Sequence, residues 1–342
     1  MRAWQVRKAG EPLEVLALEE VEPPEPPTGM LHVRVAAAGV GLPDVLMCRG
    51  SYPLTPPYPF TPGQELVGEV LRVGEGVAAR VGDRVMAVSG FYLGRGSFAD
   101  ECLAQGDFAL EVPDDMPDAE AASFVIPFHT AWVGLARRGR LQKRETLLVL
   151  GGAGGTGSAA LQLGKAMGAR VIATAGGADK VEFCRGLGAD VVIDYRVQNI
   201  AEAVREATGG RGVDVAYDPV GGDAFEAAST CMALEGRLLL IGFAGGSWGQ
   251  PKPASMVSGN YSVLGVLPSF YDHGVRQQAQ AELLQHWRAG ALRVPVHRTY
   301  AFEKTPQAVA ELASGRVQGK ITVGRASAID PASSDEPHPA AV

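Results

Sequence analysis

From Thr146 to Leu267, short apolar runs alternate with stretches of helical period. The runs are LLVL (147–150), RVIATA (170–175), VVIDY (191–195), VDVAYDPV (213–220), RLLLIGF (237–243) and SVLGVL (262–267). Continuous apolar runs of this length suit strands buried on both faces. Between them, SAALQLGKAMG, GADKVEFCRGLGA and NIAEAVREATG repeat apolar residues at helical spacing, and VRQQAQAELLQHWRAG follows as a further helix. Such alternation predicts an α/β fold with a doubly wound parallel sheet of about six strands. Residues 1–125 read differently. LHVRVAAAGV, ELVGEVLRVGEGV, VGDRVMAV and GSFADECLA look like strands joined by glycine turns, and PPEPP at 23–27 is a rigid loop. Dense Pro and Gly without long helical periods favours a small irregular β-barrel. From Asp118 the pattern changes to a helix, a break at Pro127 and a second helix. The stretch VHRTYAFEKTPQAVAELASGRVQGKITVG reads as strand, helix, strand, and is expected to return to the first domain. The expected organisation is 1–125 with 290–326 as one domain, 126–289 as the second, and a Pro/Ser/Ala-rich tail, 327–342, left disordered.

The stretch Thr146–Gly157, TLLVLGGAGGTG, stands between a buried strand and a helix. Gly152, Gly154 and Gly157 match G-x-G-x-x-G. One such glycine permits the tight turn, one lets backbone approach a pyrophosphate, and one lets the helix pack close to the strand. The helix start then offers free N–H groups and partial positive charge to phosphate. The same spacing also occurs in glycine-rich turns that hold no ligand. The strand before it and the helix after it favour a dinucleotide site.

Composition narrows the partners. The 342 residues suit about two domains. No run of ~18 apolar residues is present, so no transmembrane helix is expected, and MRAWQVRKAGEP lacks the apolar core of a signal peptide. The net charge of −7 argues against nucleic acid. Cysteines 48, 102, 184 and 231 are far apart with no CxxC pair, as expected of reduced thiols in a cytoplasmic protein.

The choice of nucleotide is read at the end of the second strand. An acid there would accept hydrogen bonds from the ribose hydroxyls of NAD. The strand instead ends Thr174-Ala175-Gly176-Gly177, and Lys180 follows. A small neutral loop with a lysine accommodates a 2′-phosphate, which points to NADP(H). Asp179, the nearest acid, is expected to cap the next helix.

The stretches AAGVGLPDVLMCRGSYP, PFTPGQELVGEVLRVGEGV, VGDRV, GSFADE, VLGGAGGTGSAALQLGKAMGARVIATAGGADK, GADVVIDYR, YDPVGG and GKITV resemble the medium-chain dehydrogenase/reductase superfamily. Within it they are most similar to the zinc-independent quinone oxidoreductase branch, over residues 1 to about 325. The resemblance implies a GroES-like β-barrel catalytic domain, a Rossmann domain, a cleft between them, and a homodimer formed through the Rossmann domains. Zinc-bearing relatives carry a cysteine at Gly41, the histidine of a GHE motif at Gln64, and a third ligand near Ile126. None of the three residues here is such a ligand, and Gln64 is expected to satisfy barrel backbone.

The resemblance also implies roles for particular residues. Thr130 would lie at the nicotinamide, and the turn of Gly152, Gly154, Gly155, Thr156 and Gly157 at the pyrophosphate. Lys180 and Tyr195 would hold the 2′-phosphate, with Arg196 adding charge. Phe243 and Leu267 would flank the nicotinamide, and Lys320 would lie near the cofactor. Gly41, Gly176 and Val220 complete the cofactor set. Tyr52 would line the substrate cleft and, as in related enoyl-thioester reductases, serve as proton donor. Where relatives have Asn, this chain has Gly41, so one polar group beside the nicotinamide is missing. His129 is expected to be a packed bystander, Asp44 to fix its loop and Cys48 to pack. The expected activity is NADPH-dependent reduction of a quinone. Reduction of 2-enals, enones or enoyl thioesters, and a crystallin-like NADPH-binding protein with little turnover, are the alternatives.

Overall fold

A computed structural model describes residues 1–324; the expected tail, 327–342, lies outside them. The chain divides into two compact units, Met1–Val125 with Val296 onward, and Ile126–Pro295. The second boundary lies six residues beyond the expected 289/290. The segment after helix His273–Arg288 stays with the second unit because Leu292 and Val294 are buried. Its backbone is also tied at Arg293, whose N donates to Gln162 Oε1 and whose O accepts from Gln162 Nε2, both at 3.0 Å.

In the second unit six parallel strands lie in the order Val191–Asp194, Arg170–Ala175, Thr146–Val149, Val213–Asp218, Met232–Leu240, Ser262–Gly265. The order reverses direction at Thr146–Val149, which makes its C-terminal end a topological switch point, where open α/β sheets bind ligands. Leu148, Ile172, Ala216 and Leu238 stand side by side in register and pack with Ile193, Val204 and Phe225. Each fully buried large side chain of this kind stabilises the fold by about 1.5–3 kcal/mol. The fifth strand starts at Met232, earlier than the apolar run suggested. It turns at Glu235, which takes φ +59°, before the run begins.

In the first unit the eleven-residue strand Met30–Val40 is the hub. It pairs antiparallel with Glu65–Val73 along most of its length, with Glu101–Gln105 over its first half and with Lys320–Gly324 over its second. A register shift between Val35 and Ala37 separates the halves. Val296–Ala301 and Lys320–Gly324 therefore complete the sheet begun by the N-terminal residues. Helix Val125–Trp132 is not broken at Pro127; the interruption falls earlier, after Asp118–Ala121. Pro127 sits in the first turn, where its missing N–H would have had no helical partner.

Candidate nucleotide and acceptor sites

The second unit builds the nucleotide side. Gly151 N donates to Thr174 Oγ1 at 3.0 Å and Gly152 N to Thr174 O at 2.8 Å, so the turn is hung on the neighbouring strand. The three motif glycines are small for different reasons. A Cβ on Gly152 would lie 3.0 Å from the Ala173 Cβ and 3.2 Å from Cys184 Sγ, and one on Gly157 would lie 2.2 Å from Gly151 O. Packing of strand, turn and helix demands both. A Cβ on Gly154 would meet only Gly151 O at 3.5 Å, which leaves that face open to a ligand. Gly154 is also the N-cap of helix Gly155–Ala166, which has no acid in its first turn. Ser158 N makes the first intrahelical bond, to Gly154 O at 2.8 Å. The N–H groups of Gly155, Thr156 and Gly157 thus precede the helical ladder. They stand at the positive end of the helix dipole, an arrangement that fits pyrophosphate. Val220 borders the turn, its Cγ2 3.0 Å from where a Gly151 Cβ would stand.

The end of the second strand gathers cations. A Cβ on Gly176 would lie 2.5 Å from Tyr195 Oη and 3.2 Å from Arg196 Nε, and one on Gly177 would lie 3.0 Å from Arg196 Nη1. Asp194 Oδ1 accepts from Gly177 N and Arg196 N, both at 3.0 Å, stapling the loop that carries Tyr195 and Arg196 to the glycines. These two donors hold the Asp194 carboxyl below its usual range. Burial, and then the charge of Arg196, push the Lys180 ammonium below its usual pKa. The Arg196 guanidinium thus stands against both glycines and the Tyr195 phenol against Gly176, with the Lys180 ammonium within reach of the Arg196 charge. Asp179 does not cap the helix Ala178–Gly186: the N-cap is Gly177, and Asp179 lies in the first turn, where its charge suits the helix dipole.

The remaining second-unit residues have definite surroundings. Thr130 Oγ1 donates to Ile126 O one turn back at 2.5 Å. His129 is buried with Nε2 2.9 Å from Gln280 Oε1, and burial lowers its pKa to about 4, so it is packed, hydrogen-bonded and neutral at pH 7. Phe243 packs on Trp248 with ring centroids 4.7 Å apart, and Leu267 is exposed.

The first unit holds the other residues. Asp44, fully buried in helix Leu42–Cys48, accepts from Gly41 N at 2.8 Å and from Gly63 N at 2.9 Å. It therefore fixes two loops at once. Burial, the largest cause, pushes its carboxyl up to about 7. Cys48 is buried and its thiol is pushed up to about 12, as packing requires. Gly41 has ordinary extended backbone, and a Cβ there would press on Pro43 Cδ at 3.3 Å. Lys320 is buried, with Nζ 2.6 Å from Glu65 Oε1 and 3.0 Å from Val40 O; its charge is answered within the unit. Tyr52 is half-buried, its ring 6.5 Å from that of Phe91. Burial raises its pKa, Gln64 beside it acts in the opposite direction, and the charge of Asp44 adds to the rise. Gln64 departs from expectation. Its backbone O accepts from Ser89 N at 2.8 Å, but its side-chain Nε2 is buried without a partner, so the side chain does not satisfy barrel backbone. Among the described residues, no three or more His, Cys, Asp or Glu side chains come together as a metal site would need.

Residues 27–114 match the family model described as alcohol dehydrogenase GroES-like domain, and residues 155–280 match the one described as zinc-binding dehydrogenase. Quinone oxidoreductase-like protein 2 of Rattus norvegicus is 32% identical over 339 residues, covering 93% of this chain and 95% of that protein. The chain belongs to the quinone oxidoreductase branch of the medium-chain dehydrogenase/reductase family. Solved members of the family superpose closely. Mycobacterial Rv1454c complexed with NADPH has a TM-score of 0.88 at 32% identity, covering 94% of this chain and 99% of that one. Escherichia coli quinone oxidoreductase complexed with NADPH has a TM-score of 0.87 at 29% identity, with the same coverage.

Within this family frame, the motif residues Gly152, Gly154, Gly155, Thr156 and Gly157 come together in the second unit, and so do Gly176, Lys180, Tyr195 and Arg196. Two features escaped the sequence. Glu65, partner of Lys320, was not singled out, although a charge opening the apolar strand ELVGEV signals a buried ion pair, as does the lysine opening KITV. The unpaired amide of Gln64 left no mark in the sequence.

Proposed function

We propose that this protein is an NADPH-dependent, metal-free reductase whose acceptor is a quinone. As a family member it is an NADPH-dependent oxidoreductase, and the observation that carries the nucleotide assignment is the Arg196 guanidinium against Gly176 and Gly177, with the Lys180 ammonium within reach of its charge. NADPH, when bound, supplies a hydride. The helix start at Gly155, Thr156 and Gly157 holds the pyrophosphate, and Lys180, Tyr195 and Arg196 hold the 2′-phosphate. Gly41 and Gln64 offer no thiolate, imidazole or carboxylate, and Glu65 is occupied by Lys320, which argues against zinc.

Neither a metal nor the Lys320 ammonium then polarises the acceptor, so the acceptor must be electrophilic by itself. Quinones meet that condition, since aromaticity is gained and the oxygens take protons from water. One observation favours a second reading, reduction of conjugated enals, enones or enoyl thioesters. Burial keeps Tyr52 protonated well above neutral pH, as a proton donor to carbon requires. NADPH oxidation followed against a panel of quinones, enals, enones and enoyl-CoA esters tests both. Rapid turnover of quinones and slow turnover of the rest supports the first reading, and the reverse supports the second.

The homodimer implied by the resemblance, and the cytoplasmic location read from the cysteines, each draw support from one feature. Strand Ser262–Gly265 stands at an edge of its sheet, paired on one side only among the described residues, and Val257 nearby is exposed. All four cysteines are free, in keeping with a reducing compartment. Among the described residues no helix is long and apolar enough to cross a membrane.

A further inference from the structure

Two stretches of the first unit carry no charge. In a chain whose charged share is 20%, residues 50–64, GSYPLTPPYPFTPGQ, and residues 85–94, VMAVSGFYLG, hold no Asp, Glu, Lys or Arg. Their loops are tied to each other. Thr61 N donates to Gly94 O and Gly96 N to Thr61 O, both at 3.0 Å, and Ser89 N donates to Gln64 O at 2.8 Å. Gly94 takes φ +74°, and a Cβ there would lie 3.3 Å from the Phe60 Cβ. Prolines at 53, 56, 57, 59 and 62 fix φ along the first loop. On this rigid support the aromatic rings form a row. Tyr52 lies 6.5 Å from Phe91, and Phe91 meets Tyr92 edge-on at 5.7 Å. Leu54 stands in a turn that Thr55 closes onto Tyr52 O, through N at 3.0 Å and Oγ1 at 2.7 Å. Leu93 ends the single 3₁₀ turn Phe91–Leu93. Leu54 is 55% exposed, Leu93 50% and Tyr92 40%, and the Tyr92 hydroxyl is taken up by Met30 Sδ at 3.8 Å.

Exposed large apolar side chains on a stiff backbone, continuous with a tyrosine, fit a ligand better than they fit packing. We propose that Leu54, Tyr92 and Leu93 bind the hydrocarbon side chain of the acceptor, so that the protein selects neutral acceptors bearing an apolar chain several carbons long. The inference rests on the reading that the reducible group lies against Tyr52, and it adds the substrate class. Every residue of the face belongs to the first unit. With no cation in either stretch, the face offers nothing to a carboxylate or phosphate carried on that chain, and a charged group would be desolvated there without a partner. What it offers is apolar area. Because the loops are already fixed by prolines and by each other, little freedom is lost on binding, and burial of the chain translates into affinity.

The test follows NADPH oxidation by the full-length protein with a series of 1,4-benzoquinones whose straight alkyl chains grow one carbon at a time. Over the first several carbons kcat/KM should rise about two- to fourfold per methylene, as burial of apolar chain predicts. A terminal carboxylate on a chain of the same length should cancel the gain. Leu54→Ser and Leu93→Ser combined should flatten the rise, and because both side chains are half out in solvent the melting temperature should stay near that of the wild type. Leu234→Ser, at a 74% exposed residue of the second unit, should leave the rise as it is. A flat series in the wild type while quinones turn over would overturn the inference and leave the quinone reading standing. A rise that survives in the double variant overturns it as well. If no quinone turns over, the quinone reading fails, and the same series followed by quenching of intrinsic fluorescence decides for the face by the same slope. Dissociation of a dimer in the double variant, seen by sedimentation, would assign the face to a second copy of the chain and sink the proposal.

Discussion

Replacing Lys180 by alanine should separate NADPH from NADH. In the resting protein the Lys180 ammonium is disfavoured first by burial and then by Arg196. On the proposed reading a 2′-phosphate would answer both cations, and Tyr195 Oη, which stands at Gly176, would donate a further hydrogen bond. A charge-assisted hydrogen bond is worth about 1.5–3 kcal/mol. At about 1.4 kcal/mol per tenfold, Lys180→Ala should weaken NADPH roughly 10- to 150-fold. NADH carries no 2′-phosphate, so its affinity should stay within about twofold, and the fold itself should change by less than about 0.5 kcal/mol. Calorimetric titration of both nucleotides into wild type and variant measures the difference directly. Salt gives a second axis: the screening length falls from about 8 Å at physiological ionic strength to about 3 Å at 1 M, so the wild-type preference should shrink as salt rises. Equal losses for NADPH and NADH would show that Lys180 serves structure and would refute the anion-site argument.

Tyr52→Phe should cost ~10²–10⁴ in rate on an enone or enoyl thioester, through loss of a general acid, while quinone turnover is largely kept; parallel losses on both would break that distinction. In Gly157→Ala the new Cβ would collide with Gly151 O at 2.2 Å. Thermal melting should show about 1–3 kcal/mol of lost stability together with lost nucleotide binding, and a neutral effect would mean the turn can yield. Asp44 titrates at about 7 when folded, against about 3.9 unfolded. Its stabilising contribution is therefore complete below about pH 4 and is lost as pH rises to about 7. Between those limits the melting temperature of Asp44→Asn should fall with pH less steeply than that of the wild type, and identical slopes would rule this out. Elemental analysis of purified protein should find well under one zinc per chain, with EDTA leaving activity unchanged; stoichiometric zinc would overturn the metal-free reading.

What lies within a few residues along the chain was legible in the sequence. The six parallel strands follow from apolar runs, and Arg170–Ala175 keeps the expected bounds because its burial pattern is a local property of a two-sided strand. The glycine turn before helix Gly155–Ala166 and the glycines that end the second strand were readable for the same reason: each acts on its own neighbourhood. Boundaries were less so. Pro127 belongs to the first turn of a helix rather than to a break, and residues 290–295 stay with the second unit, because Gln162 clamps Arg293 across a separation no local pattern records. The acceptor-side chemistry needed tertiary structure. Lys320 meets Glu65 across 255 residues of chain, and the outcome is an ion pair neutralised within its own unit. Gln64 looked like a residue whose side chain would satisfy backbone, yet its buried Nε2 has no hydrogen-bond partner. A sequence states which donors exist; only the folded chain decides which acceptors remain within their reach.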